Sequence, residues 1–563
     1  MKYDETPENT DIFGISNIRK CQRYTLRTQR RLDKAVAEDN QAKIRYFSYL
    51  LGKVSKAVKV LAVYRVCKLN DGKNTAGIDC FAISEDKEVA RCQMMEILRT
   101  MDINDRPKPI RKVMIPKPNG KKRPLGIPTI RDRISQEIIR IAIEPICEFH
   151  FLPCSHGFRP KRSCHDAMVD IFVKLARKDA KKWIVEGDIK GCFDNIRHSH
   201  ILNTLKLWRI GKWIITLIER MLKSGGKVGT PQGGIISPML ANVALTCLDE
   251  EIAEYGARTY THGTNPLVRY ADDFIIMAKS ENEAELIKEK VRLFLKRFVG
   301  LELSEEKTHI TEIHKGFNFL GFNFRRYRGK DKLIVKPAKD NIREFSLKIK
   351  ETMKGCIHLS GVNLILKLKP IINGWGNYYR HCTSSKVFRR LDNNLYFRIW
   401  RWIKRKHKER GKKWSVRRYF RKWIFTDGGQ YMPKLCQIPI KNFTKVRSDV
   451  RVYSMEDRDY WYEREYINAK GSIYNSYEFT KLFQVQDGNC AYCNRGISKR
   501  DIQSYSIHKH HLKPRSRGGD DKLSNLRLLH QECHRELHSR ISRLEMSGYI
   551  DRGFDYLQSL SLA

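Results

Sequence analysis

Residues 269–274 read Arg-Tyr-Ala-Asp-Asp-Phe, with apolar Leu267–Val268 before them and Phe274-Ile-Ile-Met277 after. Two adjacent carboxylates in that setting are costly, because like charges repel and burial raises both pKa values. An apolar run, a polar break and a second apolar run predict a β-hairpin with the acids at its turn. An acidic turn open to water is the plain outcome. A divalent-cation site is the chemical one, because hard ions take oxygen ligands from loops. Asp188 ends a second apolar run, Trp183–Gly187. Three carboxylates from two neighbouring strand ends can hold a pair of divalent ions about 3.5–4 Å apart, as phosphoryl transfer requires. Adjacent strand residues face opposite ways, so Asp272 is expected beside Asp188, with Asp273 in a secondary role.

A second set lies near the C-terminus: Cys490-x2-Cys493 and His530-x2-Cys533. Paired ligands with a domain-sized insert between them have the spacing of a structural tetrahedral zinc site. Imidazole in place of a fourth thiolate suits that ion as well. Between and after these pairs lie His510, His511, Asn525, His534 and His538. His510 and His511 are adjacent and would point apart on a strand. His534 and His538, four apart, share one face of a helix. Taken singly, each of these histidines is an ordinary structural residue; their grouping is what suggests chemistry.

These groups need scaffolds. The chain has 563 residues, room for several domains, and 108 Lys+Arg against 63 Asp+Glu give a formal charge of +45. So large an excess favours a polyanionic partner, since each phosphate contact releases counterions. A membrane is the rival polyanion, but there is no long uncharged apolar run and no basic-then-apolar N-terminus. The polar opening MKYDETPENT argues against secretion, and twelve of the fifteen cysteines are scattered singly, as in reduced intracellular proteins. The expectation is a cytoplasmic nucleic-acid-binding protein.

Residues 20–70 have helical periodicity, 107–130 read as two strands around a Pro/Gly/Lys tip, and Asp132–His150 as a helix ending near Pro145 or soon after. Trp183–Ile189 is expected as a strand, Gly229–Leu245 as a Gly/Pro loop feeding a helix, and 281–299 as a long charged helix. Short strands alternating with helices indicate an α+β core up to about residue 330. From about 340 to 425 the pattern changes to basic helices rich in Trp and Tyr, including Arg417–Trp423; residues 426–475 are poorly periodic.

The stretches DIKGCFDNI, GTPQGGIISPMLAN and VRYADDF together resemble the reverse transcriptases of bacterial group II introns. The blocks NTAGID, IPKPNGKKRPLGIPTIRDRI, SHGFRPKRS, GLELSEEKTHI and GFNFLGF fall in that family's order, over about residues 70–325. The resemblance implies that Asp188, Asp272 and Asp273 are the catalytic Mg²⁺ ligands. It implies that Phe193 excludes ribonucleotides by crowding the sugar 2′-carbon; its plain alternative is a core aromatic. Lys117 and Arg123 would contact the incoming triphosphate, and Gln232 in Pro231–Gly234 would lie against the nucleotide, where paired glycines let backbone approach closely. KPIINGWGNYYRH and RWIKRKHKERGKKW resemble the family's thumb, or maturase domain. Basic residues interleaved with aromatics suit RNA, although Trp375, Tyr378 and Tyr379 could equally be helix core; one face packing and the other binding would satisfy both.

The C-terminal stretch HHLKPRSRGG…LSNLRLLHQECHRELH resembles the HNH endonucleases, with Gly518–Gly519 in its loop. That resemblance implies His511 as general base, His510, His534 and His538 as Mg²⁺ or Mn²⁺ ligands, and Asn525 orienting the base or bracing the loop. The expected fold is multidomain α+β: a right-hand polymerase with fingers and palm over 1–330, an α-helical thumb over 331–425, a DNA-binding or linker region over 426–479, and a zinc-stapled ββα-metal nuclease over 480–563. The implied partners are a group II intron RNA, target DNA and dNTPs, with a monomer or a dimer on the RNA and no membrane. A splicing factor with a dead polymerase is disfavoured by the intact Asp188, Asp272 and Asp273. A free-standing nuclease is disfavoured by the complete polymerase series, and the reverse transcriptase of another retroelement by the thumb and nuclease together.

Overall fold

The computed structural model describes residues 12–116, 122–253, 264–461 except 328 and 330, 463–464, 477–498, 501, and 507–546 except 515–517, 519 and 521. Two compact units interleave along the chain: Met1–His150, Leu202–Ser237 and Val450–Ala563 form one, and Phe151–Ile201 with Pro238–Asp449 the other. The units therefore do not follow the four consecutive stretches read from the sequence.

In the first unit, helices α1 (Ile15–Ala37), α2 (Gln41–Tyr49), α3 (Lys56–Tyr64), α4 (Lys87–Thr100) and α5 (Ile130–His150) gather around a core that includes Leu32, Ile44, Val58, Val63, Ile134 and Ile138. Asn40 and Ser55 start α2 and α3 by accepting from the amides of Lys43 and Val58, which satisfies donors that a helix start leaves unpaired. Of the two ends expected for this helix, at Pro145 or soon after it, the structure has the second: α5 runs on to His150 with Pro145 inside it. A helical proline leaves the carbonyl four residues earlier without its donor. Here that carbonyl, Ile141, accepts instead from the Gln29 side chain of α1 at 2.9 Å. Strands β1 (Arg111–Pro116) and β2 (Lys122–Ile127) form an antiparallel hairpin. The poorly periodic 426–475 region is partly anchored: Tyr453 donates to Glu144 at 2.5 Å, Arg451 pairs with Asp33 at 3.1 Å, and Trp461 donates to the Arg451 carbonyl.

The second unit contains α6 (Cys164–Ala176), β3 (Trp183–Asp188), α7 (Cys192–Asn195), α10 (Ser237–Ile252), β4 (Leu267–Tyr270), β5 (Asp273–Ala278) and α11 (Glu281–Phe294); α8 (His198–Leu207) and α9 (Lys212–Lys223) precede α10 in the chain. With β6 (His309–Glu312) the strands make an antiparallel sheet in the order β4-β5-β3-β6. Strands β7 (Phe317–Phe319), β8 (Phe322–Tyr327) and β9 (Lys332–Pro337) make a second sheet. Because β8 pairs with β9, the expected boundary at residue 330 cuts through a hairpin; cross-strand packing overrides the change in composition there.

Helices α12 (Lys339–Lys354), α13 (Gly361–Tyr379) and α14 (Ser385–Lys406) share one apolar core with the β7-β8-β9 sheet. On α14 the buried side chains are Phe388, Leu391, Leu395, Ile399, Trp402 and Ile403, the three-and-four spacing of an amphipathic helix. Arg417–Trp423 does not form a single helix. The helix α15 (Lys412–Tyr419) stops at Tyr419, and the basic run continues as the hairpin β10 (Phe420–Arg421) and β11 (Ile424–Asp427), flanked by β12 (Gln430–Tyr431). Phe420 and Phe425 face each other across that hairpin and are buried, so aromatic cross-strand pairing wins over helix periodicity.

At the C-terminal end, β13 (Ile507–His511) pairs antiparallel with β14 (Leu526–His530), and the helix Gln531–Met546 follows directly. Phe479, Leu482, Phe483, Leu526, Leu528, Leu529 and Leu537 close a small separate core around Cys490, Cys493 and Cys533.

Candidate functional site

The first site grows from the ends of β3 and β5. Register sets Asp188 directly across from Asp273, and β4 joins β5 through the two-residue turn Ala271–Asp272. Asp273, not Asp272, is therefore the cross-strand partner of Asp188. Placing both acids in the strand would set Asp272 beside Asp188 instead, but Asp272 lies in the turn after Ala271, whose φ is +59°. Gly187 lets the two strands meet: a Cβ there would come within 2.1 Å of the Phe274 ring.

What steadies the turn is Arg269. Its guanidinium is fully buried and fully used, meeting Asp249 through two bonds of 2.7 and 2.6 Å. The same group donates to Asn242 Oδ1, the Ala271 carbonyl and Ser155 Oγ, each at 2.9 Å. A buried guanidinium is tolerable only when every donor is met, and meeting the Ala271 carbonyl ties it to the acidic turn.

The carboxylates feel one another. Although the Asp273 carboxyl reaches solvent, loss of hydration and then the charges of Asp272 and Asp188 hold its pKa up to about 7. Buried Cys192 is pushed up by burial and then by Asp272, with Asp188 contributing less. Asp188 accepts from Lys307 Nζ at 2.6 Å. Lys307 lies in GLELSEEKTHI, but nothing in its type or spacing marked it out. Among the described residues these acids are not drawn together as closely as the histidine and cysteine clusters of the C-terminal segment, as expected of like charges. Hard oxygen donors suit Mg²⁺, so the donor set fits the expected ion.

Phe193, on the short α7, is buried and meets the Phe158 ring edge-on at 6.2 Å, and Phe158 lies 6.5 Å from Tyr270. Lys117 falls outside the described residues. Arg123 sits on β2 opposite Ile115. Gln232 precedes Gly233, whose amide donates to the Gly126 carbonyl at 3.0 Å. The close backbone approach at these paired glycines is thus to β2: a Cβ on Gly233 would lie 2.3 Å from that oxygen. Arg123 and Gln232 belong to the first unit, the three aspartates and Phe193 to the second.

In the helical layer, Trp375 stacks on Phe345 at 4.6 Å and contacts Tyr379 at 4.4 Å. Tyr378 and Tyr379 donate to the carbonyls of Leu320 and Gly321. These aromatics pack; Arg389, Arg390, Arg401, Lys404 and Arg405 of α14 are exposed.

The C-terminal residues gather in two clusters. Cys490, Cys493, His530 and Cys533 are all buried, with ligand atoms within 4.8 Å of one another. His530 turns Nδ1 toward Cys493 Sγ at 2.9 Å and Nε2 toward Asp501 at 3.5 Å. A carboxylate behind a ligating imidazole fixes its tautomer; Asp501 was not singled out in the sequence, where no motif contains it. Hydrogen bonding from Cys490 holds the Cys533 thiol below its ordinary value. Three thiols and an imidazole at this spacing fit zinc.

His510, His534 and His538 form the second cluster, again within 4.8 Å. Burial, then His534 and His538, push His510 down to about 3; burial, then His538, push His534 down to about 4. Both rings are neutral at physiological pH, with lone pairs free for a metal. An all-imidazole set suits borderline ions such as zinc or nickel better than either of the two ions expected, Mg²⁺ or Mn²⁺, which prefer oxygen donors. His508, not singled out in the sequence, lies two residues before His510, and its ring lies 5.1 Å from that of His534. His511 follows His510 on β13 and is half-buried. Asn525 accepts from the Lys513 amide at 2.7 Å and donates to the carbonyls of Lys513 and Asp520. Of the two roles expected for Asn525, these are the bonds of a loop brace.

Four family models match the chain: the N-terminal domain of reverse transcriptase over residues 16–98, reverse transcriptase (RNA-dependent DNA polymerase) over 115–324, the group II intron maturase-specific domain over 342–420, and HNH endonuclease over 490–540. Protein YkfC of Escherichia coli (strain K12) is 30% identical over 361 residues, 56% of this chain and 93% of that one. The group II intron-encoded protein LtrA of Lactococcus lactis subsp. cremoris is 35% identical over 362 residues, 49% of this chain and 59% of that one. An uncharacterized 91 kDa protein in the cob intron of Schizosaccharomyces pombe is 31% identical over 57% of this chain and 49% of its own length. The chain thus spans little more than half the length of the Lactococcus relative. Among the described residues no helix is long and apolar enough to cross a membrane.

Proposed function

The chain belongs to the group II intron-encoded proteins, reverse transcriptase–maturases with a C-terminal HNH domain, and from that premise we propose how its residues divide the work. It binds its intron RNA and assists splicing, nicks one strand of a DNA target, and extends the freed 3′ end by copying the RNA. The observation that carries the polymerase role is the meeting of Asp188, Asp272 and Asp273 at adjacent antiparallel strand ends. When bound there, a pair of Mg²⁺ ions would activate the primer 3′-hydroxyl and neutralise the leaving pyrophosphate. The chain's part is to hold these carboxylates in place through Arg269 and to keep Lys307 beside Asp188.

Lys117 and Arg123 meet the triphosphate and Gln232 the base. The chain up to β9 supplies fingers with palm, and the helices after it, to about residue 425, supply the thumb; 426–479 is a DNA-binding or linker region and 480–563 the nuclease. The packed aromatics of α13 support the thumb from within, leaving the exposed cations of α14 for RNA phosphates. In the nuclease, Cys490, Cys493, His530 and Cys533 hold a structural zinc, while His511 takes a proton from the attacking water. A divalent ion on His510, His534 and His538 would stabilise the leaving 3′-oxygen. Asn525 keeps the loop after His511 in place.

The test is RNA-templated primer extension with dNTPs, together with nicking of target DNA by the chain bound to the intron RNA that encloses its coding sequence. Extension and nicking in one preparation is the expected result; a chain that binds the RNA but does neither is a splicing factor alone.

Phe193 carries a separate prediction. It is buried against Phe158 beside Tyr270, close to the acidic turn. Phe193→Val should relax discrimination against ribonucleotides by about tenfold to a hundredfold, the scale of removing one steric contact in a pocket. The ratio of dNTP to rNTP incorporation reads it directly, and an unchanged ratio makes Phe193 only a core residue.

A further inference from the structure

The hairpin after α15 turns through two residues, Lys422 and Trp423, since Arg421 pairs with Ile424. Both have left-handed backbones, with φ of +47° and +62°. Turns of this kind are normally made by Gly, Asn or Asp, because a Cβ is crowded there. Trp423 is also 75% exposed, and its indole makes no hydrogen bond or ring contact with the described residues. Strain and an unburied indole thus coincide at one tip. A single exposed apolar residue needs no explanation by itself; backbone strain held in place by rigid packing points to function.

The tip is held firmly from behind. Trp400, half-buried, stacks on Phe420 at 5.4 Å and buried Tyr419 on Phe425 at 5.5 Å, so both strands are clamped by packed rings. Arg421 donates to the Arg417 carbonyl at 2.7 Å. Close to the indole in the chain, Arg417, Arg418, Arg421 and Lys422 are exposed, and Arg418 pairs with Asp427. An exposed flat ring on a rigid tip, with exposed cations beside it in the chain, matches an unstacked base flanked by phosphates.

We propose that Trp423 is a stacking platform for an unpaired base of single-stranded RNA, with Lys422 and its arginine neighbours meeting the adjacent phosphates. This rests on the reading of the chain as an RNA-binding maturase and adds to it a contact outside the residues that the maturase-domain model matches. RNA is favoured over DNA because loops and bulges of a folded RNA splay their bases, whereas a DNA duplex keeps them stacked.

The test uses the full chain and a short unstructured RNA, its perfect RNA duplex, and single-stranded DNA of the same sequence. Glycine takes the left-handed turn without strain, so Trp423→Gly should melt no lower than wild type. It should nonetheless bind single-stranded RNA about tenfold more weakly, as the loss of one base–aromatic stack requires. The slope of log affinity against log salt should stay the same, because no charge is removed, and duplex affinity should not change. Trp423→Phe should keep most of the single-strand affinity. The proposal is overturned if Trp423→Gly binds single-stranded RNA as wild type does, loses single strand and duplex equally, or weakens only for DNA. A lower melting temperature accompanying the loss would also overturn it. Wild-type primer extension is run alongside: its absence defeats the underlying reading, whereas extension with unaltered Trp423→Gly binding defeats this proposal alone.

Discussion

Asp272→Asn should reduce RNA-templated primer extension by several orders of magnitude, since it removes a charge from a two-cation site. RNA affinity should stay within about threefold, because so basic a chain spreads its phosphate contacts over many residues. Asp188→Asn should be as damaging to extension, and it also deprives Lys307 of its 2.6 Å partner. Asp273 should behave differently toward pH. Its carboxyl is held up to about 7 by dehydration and by its two acidic neighbours. The folded chain therefore keeps a proton that the unfolded chain releases, and metal-free stability should fall as pH rises from about 4 to 7 and level off above that. Asp273→Asn should flatten this slope, and Mg²⁺ should do so in the wild type by offsetting the repulsion. Thermal melts across that range, with and without Mg²⁺, read the effect. Comparable cDNA yield from Asp272→Asn would sink the assignment of the acidic turn.

The two C-terminal clusters should separate just as sharply. Cys490→Ser should lose zinc and DNA cleavage together, because Cys490 is buried at the centre of the small core that closes around the four ligands. Such a module folds on the free energy of metal binding, so residues from about 480 onward should become sensitive to protease. His511→Ala should abolish opposite-strand cleavage while keeping zinc, splicing and extension of a supplied primer. His511 lies on the strand beside the imidazole cluster and outside both sets of ligands. Zinc content, nicking and primer extension are measured on both variants in parallel. Nicking at the wild-type rate by His511→Ala, or loss of its zinc, would undo the division of labour.

Motif order and ligand spacing were enough to name the chemistry. The acid pair in RYADDF, the Cys-x2-Cys and His-x2-Cys pairs and the doubled His510–His511 are local patterns, and local patterns survive in a sequence without knowledge of the fold. The same holds for the charge of +45, which needs no structure to imply a polyanion. Geometry was another matter. Whether Asp272 or Asp273 stands across from Asp188 depends on one residue of strand register, which the left-handed Ala271 decides by placing Asp272 in the turn.

Partners distant in sequence were equally hidden. Gln29 rescues the carbonyl that Pro145 leaves bare, Asp501 backs His530, and Asp249 with Asn242 and Ser155 fills the donors of Arg269. None of these pairs has a spacing rule, because each is set by which surfaces the tertiary packing presses together. Trp423 makes the same point from the other side. In sequence it continues a basic amphipathic helix, and only the burial of Phe420 against Phe425 turns the chain back and leaves the indole in water. Side-chain chemistry is written residue by residue, whereas register, burial and charge compensation belong to contacts that exist only once the chain has closed on itself.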